Sequence, residues 1–235
     1  MVTTPGAGRP TAGARGPKAG PHRPLPRRIA LVGSGGAGKS TLATRLGAAT
    51  GLPVVHLDRL YWSPGWVEPA PEDWLARVES LVAGPAWILD GNHGTTAHLR
   101  IDAADLVVLV DTPRWRCLWR VLARRLRHRG TNRPDMADGC PERLDPTFVR
   151  WVWIFPREKR PRFVEELHVV AARGGEAVRL RRSVDHDALV ADLAARARWE
   201  GAPAETRPPD TRPADATPAD TRPADATPAD AVNDA

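Results

Sequence analysis

The pattern with the clearest chemical meaning runs from Gly33 to Ser40, GSGGAGKS, and satisfies G-x-x-x-x-G-K-S/T. A glycine-rich backbone can curl until successive N–H groups point at one centre, and a helix beginning at its end adds the positive end of a dipole. The result is a cradle for phosphate oxygens made by Gly33, Ser34, Gly35, Gly36, Ala37, Gly38, Lys39, Ser40 and Thr41. The Lys39 ammonium would then reach the β- and γ-phosphates of ATP, and the Ser40 hydroxyl would ligate Mg²⁺. A chance match in a glycine-rich turn is the competing reading. Context disfavours it, because the apolar run RIALV precedes the loop and a helical pattern, with Leu42 and Leu46 one turn apart, follows it.

Three carboxylates close apolar runs that read as buried strands: Asp58 after PVVHL, Asp90 after AWIL and Asp111 after ADLVVLV. In open parallel sheets ligands sit beyond the carboxyl ends of the strands, so all three are candidates for the site. Asp90 is preferred as the carboxylate that holds Mg²⁺ through water opposite Ser40, since the DGNHG that follows it makes a polar loop. Asp111 competes for that role; an acid capping the turn at Asp111-Thr-Pro is the plainer explanation for it.

These residues need a scaffold. The runs at 53–58, 86–91 and 104–111, with RIALV and the AVRL of 177–180, alternate with helical segments, which predicts an α/β fold with a five-stranded parallel sheet flanked by helices. PEDWLARVESLVAG predicts a helix starting at Pro71 and stopping at Gly84, and RWRCLWRVLARRLRHRG a longer one ending at Gly130. WVWIF at 151–155 reads as helical core.

Both ends of the 235-residue chain are too poor in bulky apolar residues to fold. Residues 1–26 read as a disordered basic arm, and 201–235, in which TRPADATPAD occurs twice in succession, as an extended Pro/Ala/Asp tail. The domain expected is 27–200. It holds 27 basic against 21 acidic residues, a balance suited to a nucleotide, another polyphosphate or nucleic acid. With no run long enough to span a bilayer and no apolar signal stretch, the expected location is the cytoplasm, with no membrane partner. Cys117 and Cys140 lack zinc-site spacing and read as one core and one loop thiol.

The blocks GSGGAGKST, ILDG and RVLARR make the chain resemble the adenylate kinase and shikimate kinase group of P-loop small-molecule kinases. HLDRLYWSPGW, DGNHGT, RWRCLWRVLARRLRHRG and RPDMADGCPERLD are similar to characteristic blocks of a bacterial family named for modulation of DNA topology. The resemblance implies a P-loop NTPase fold with a small arginine-rich lid over about 124–146, and an acceptor pocket at the end of the second strand. It departs from adenylate kinase where Asp-Gly is followed by Asn92 and His93 in place of the arginine that holds the AMP phosphate. Arg100 approaches that region from the following turn.

The acceptor side would then comprise Asp58, Tyr61, Trp62, Trp66, Asn92, His93 and Arg100. Asp58 could take or direct the proton of an attacking hydroxyl, and the rings could stack on a planar acceptor. Alternatively Trp62 and Trp66 pack under the helix containing Trp74 and touch no ligand, and His93 is an ordinary polar loop residue. Arg120 and Arg124, four apart on one helix face, match phosphate oxygens in geometry and sign; Arg125, Arg127 and Arg129 extend that charge. The function expected is a Mg-ATP-dependent kinase acting on a small, nucleotide-like acceptor. The alternatives are an ATP-dependent nucleic-acid-binding or regulatory factor, although no recognisable nucleic-acid motif is present, and a partner protein docked on the aromatic loop.

Overall fold

The computed structural model describes residues 23–127, 136, 137, 139, 140 and 145–201. Five strands, β1 (Arg28–Gly33), β2 (Val54–His56), β3 (Trp87–Asp90), β4 (Leu106–Val110) and β5 (Glu176–Leu180), form one parallel sheet in the order β2-β3-β1-β4-β5. The strand that feeds the glycine-rich loop is therefore central, and β3 and β4 lie on either side of it.

Period-two alternation along these strands divides the core into two layers. Ile29, Leu31, Leu106, Val108 and Val110 face a layer that also contains Leu42 and Leu46 of α1 (Lys39–Thr50) and Leu189 and Leu193 of α8 (Ser183–Glu200). Ala30, Val32, Val107 and Leu109 face the other way. Against them pack Trp74 and Val78 of α3 (Pro71–Val82), Ile101 of α4 (Ala97–Ala103) and Phe163, Leu167 and Val170 of α7 (Arg160–Ala172). Burial on both faces explains why these strands read as unbroken apolar runs.

Helix α3 begins with Pro71 at its first position and Glu72 and Asp73 in its first turn, where acids oppose the positive dipole end. Helix α5 spans Arg114–Arg127, so the predicted continuation to Gly130 lies outside the described residues. In α6 (Pro146–Glu158) the Asp145 carboxylate caps the helix by accepting from the Thr147 N–H at 2.9 Å. Val152 and Phe155 are buried as expected for WVWIF, but Trp153 faces outward.

Two boundaries differ from expectation. Strand β2 ends at His56, and Leu57–Tyr61 forms a short helix, α2, so Asp58 sits in a helical first turn and not at a strand end. The fold also begins earlier than residue 27. Leu25 is buried in the core, its N–H donates to Glu200 at 2.7 Å, and Pro24 O accepts from Arg196. A single leucine in a basic, proline-rich stretch carries no periodicity, which is why the strap was not legible.

Candidate active site

The loop after β1 is shaped by contacts that leave no room for side chains. Gly33 has φ 145°, and a Cβ there would lie 2.4 Å from the carbonyl oxygen of Val110; at Gly36 (φ 74°) it would lie 2.5 Å from that of Cys117. Gly38 caps α1, and Lys39 and Ser40 open that helix. The Lys39 ammonium donates to Gly33 O at 2.8 Å and Ser34 O at 3.0 Å, which holds it across the loop. Thr112 Oγ1 and an Arg120 Nη both donate to Ala37 O, at 2.9 and 3.0 Å, so α5 and the turn before it brace the loop from the β4 side.

On the β3 side the brace is Asn92. Its Oδ1 accepts from the Gly33 N–H at 3.0 Å, while its Nδ2 donates to Gly33 O at 2.7 Å. In this structure both ends of the Asn92 amide are engaged with the backbone of the phosphate loop.

Asp90 is buried at the end of β3, beside His56 of β2 in the parallel register. His56 Nδ1 lies 3.0 Å from Asp90 Oδ2, and the other oxygen, Oδ1, is buried without a hydrogen-bond partner. An anionic oxygen so placed is costly unless a cation or water completes it, so the residue fits the outer coordination of a metal. Asp111 does not fit as well. Arg179 donates to it through both Nε and Nη2, Arg160 lies 3.7 Å away and Arg181 3.9 Å. Three guanidinium groups around one carboxylate already neutralise it and would repel a dication.

Asp58 accepts from His93 at 3.0 Å. His93 has the positive φ of 34°, rare for a residue with a side chain, and its ring is held by Tyr61 at 4.4 Å and Trp74 at 4.9 Å between centroids. Aromatic packing and a carboxylate thus fix this imidazole, while the Asp58 side chain is about half exposed. His93 is no free polar loop residue. Tyr61 serves as its platform and donates its hydroxyl to Glu68 at 3.0 Å; burial, with that carboxylate, pushes the phenol up from 10.0 to about 12.

Trp62 and Trp66 pack on a stretch far away in sequence. Their rings meet edge to face at 5.3 Å and pack with Met136, Ala137 and Cys140, while Tyr61 lies between Trp62 and Trp74 at 4.9 and 5.0 Å from them. The two segments are also tied through the backbone, with Gly65 N–H donating to Gly139 O at 3.0 Å and Cys140 Sγ to Ser63 O at 3.2 Å. The tryptophans therefore pack against residues that fall in the stretch expected to form the lid. Pairing between positions so far apart in sequence leaves no local signal.

Arg100 lies inside the fold. The residue is 1% exposed, and its guanidinium donates to the carbonyls of Gly91 and Asn92 and to Thr96 Oγ1, in and after the loop that follows β3. Burial lowers its pKa to about 10, against the opposing pull of the Asp58 and Asp90 charges, so it stays cationic at neutral pH. It holds the loop in place and interacts with the charges of both carboxylates. Arg124 and Arg125 are half-buried on α5 and Arg127 is exposed; Arg129 lies outside the described residues. Sequence reasoning missed His56, Thr112 and the clamp role of Asn92, because each depends on which strands are neighbours.

An all-parallel sheet with a G-x-x-x-x-G-K-S loop between its central strand and the next helix defines a P-loop NTPase fold. No family model and no curated protein sequence matches the chain. Among solved structures, a shikimate kinase from Acinetobacter baumannii in complex with shikimate is 19% identical, with a TM-score of 0.47 over 71% of this chain and 90% of that one. A gluconokinase from Sinorhizobium meliloti 1021 is 16% identical, with a TM-score of 0.38 over 75% and 94%. The fold assignment rests on the strand order and the loop, not on these likenesses.

Proposed function

We propose that the protein is a Mg-ATP-dependent P-loop kinase that transfers the γ-phosphoryl group to a hydroxyl of a small acceptor. The observation that carries this reading is the Asp58–His93 pair, whose carboxylate shares the charge of the buried Arg100 with Asp90. A phosphate cradle alone suits any nucleotide switch; a fixed, half-exposed carboxylate beside it suits proton removal from an acceptor.

In this reading the loop amides and Lys39 bind the β- and γ-phosphates, and Arg120 and Arg124 approach them from α5. Ser40 and, through water, Asp90 would hold Mg²⁺, which supplies charge neutralisation on the phosphates. Asp58 accepts the proton of the acceptor hydroxyl as its oxygen bonds to phosphorus and the bond from phosphorus to the β-phosphate oxygen breaks, leaving ADP. His93 keeps Asp58 oriented, and Tyr61 and Trp74 keep His93 in place. The resemblance to the DNA-topology-modulation family belongs to this proposal, and it names no reaction.

The test is a screen of nucleoside monophosphates, nucleosides and small hydroxylated metabolites for ADP release above the water background, with the product identified by phosphorus NMR. An acceptor-dependent rate that falls with Asp58→Asn supports the kinase. Failure of every acceptor, with hydrolysis stimulated by DNA, would replace it with the nucleic-acid-dependent switch.

A further inference from the structure

Helix α5 is apolar on two opposite sides. Cys117 and Val121 face the core, whereas Trp115, Trp119, Leu122 and Leu126 are 62%, 70%, 43% and 76% exposed. Spacings of four, three and four residues bring those four side chains into one narrow sector at about 100° per residue. The same geometry puts Arg116 and Arg127 on one flank of the stripe and Arg114 and Arg125 on the other. The helix has six arginines and no acid. Beside it, Trp153 of α6 is 47% exposed with the Arg114 guanidinium 3.9 Å above its ring, and an open cavity of about 520 Å³ bordered by Leu118, Val149 and Trp153 joins the two helices.

A contiguous apolar surface of this kind marks an interaction site, and its partner must be apolar and anionic at once. A second copy offers the wrong charge, since antiparallel pairing of this helix sets arginines against arginines. The chain's own C-terminal segment is acidic but has no large apolar side chain to cover tryptophan. Two tryptophans within an arginine-flanked stripe and a third beside it match a bilayer interface, where indoles sit at headgroup level and arginine stems extend to lipid phosphates. We propose that the outer face of α5, with Trp153, docks the protein onto anionic phospholipid surfaces. This surface is separate from the phosphate loop, so the proposal does not depend on the kinase reading.

Co-sedimentation of the full chain with large unilamellar vesicles tests it. Binding to phosphatidylglycerol-containing vesicles should exceed binding to pure phosphatidylcholine by at least about tenfold, and should weaken as salt rises. The double substitution Trp115→Ser with Trp119→Ser should abolish it while leaving the melting temperature and ATP affinity unchanged, because both side chains are solvent-exposed. Arg116→Gln with Arg127→Gln should reduce binding to the anionic vesicles alone. Equal binding to both lipids, or undiminished binding by the double variant, overturns the proposal. So does a solution dimer, an acidic-peptide complex or a single-stranded DNA complex that the double variant loses while the wild-type chain ignores vesicles.

Discussion

Lys39 carries the most direct test of the phosphate loop, since its ammonium is the side-chain charge already spanning it. Lys39→Ala should sharply reduce Mg-ATP binding while leaving the thermal transition in place, and titration calorimetry would show it. Unchanged affinity would remove the nucleotide from the account. Across the site, Asp58→Asn should leave ATP affinity intact and lower acceptor-dependent turnover; His93→Gln, acting through Asp58, should lower turnover less and shift its pH profile. Tyr61 offers an optical readout, because it is the only tyrosine in the chain. With its pKa raised to about 12 by burial first and Glu68 second, it should remain protonated in native protein at about pH 11, where the unfolded chain is mostly ionised. The unfolded state then holds fewer protons between about pH 10 and 12, so this group's stabilisation, complete below pH 10, is lost as pH rises through that window. Absorbance titration of wild type and Glu68→Gln would show it, the variant titrating lower but still above the ordinary value.

At the scale of elements, Asn92 separates a structural from a substrate role. Asn92→Ala deletes both hydrogen bonds to Gly33 and should cost about 1–3 kcal/mol in a urea melt, with weaker ATP binding. A direct acceptor contact would instead leave stability alone and raise the acceptor KM. The same contrast explains what was legible in the sequence. The β1–loop–α1 unit is local, with apolar run, glycines and helix adjacent along the chain, so its residues announce their roles together. The strands β3 and β4 are legible too, because burial on both faces keeps them apolar throughout. Tertiary pairing is not. Whether His56 sits beside Asp90 depends on β2 being next to β3, and the anchoring of Trp62 and Trp66 depends on residues about seventy positions away. Leu57 and Asp58 read as the end of an apolar strand, yet Leu57 is buried in the layer that holds Trp74 and Val78, and the helix it opens lets Asp58 meet His93.

For the whole molecule the question is where the fold begins and ends. Composition sets both termini outside the core, yet the strap formed by residues 23–26 crosses to α8: Leu25 packs into the same layer as Leu189 and Leu193, and Arg23 pairs with Glu176 at 3.4 Å. The exposed ion pair adds little, so the leucine and its 2.7 Å bond to Glu200 dominate. Removing residues 1–22 and 202–235 should leave the melting temperature unchanged, whereas starting the chain at residue 27 should cost about 1.5–3 kcal/mol for the lost leucine burial. At about 2–4 °C per kcal/mol for a domain of this size, that is a fall of at least about 3 °C in a calorimetric scan. Leu25→Ala in the full chain should reproduce most of it without any change of length. If both shortened chains and Leu25→Ala melt with the parent, the strap contributes nothing and the domain starts at β1; if only the chain starting at 27 falls, the backbone bond to Glu200 outweighs the side chain.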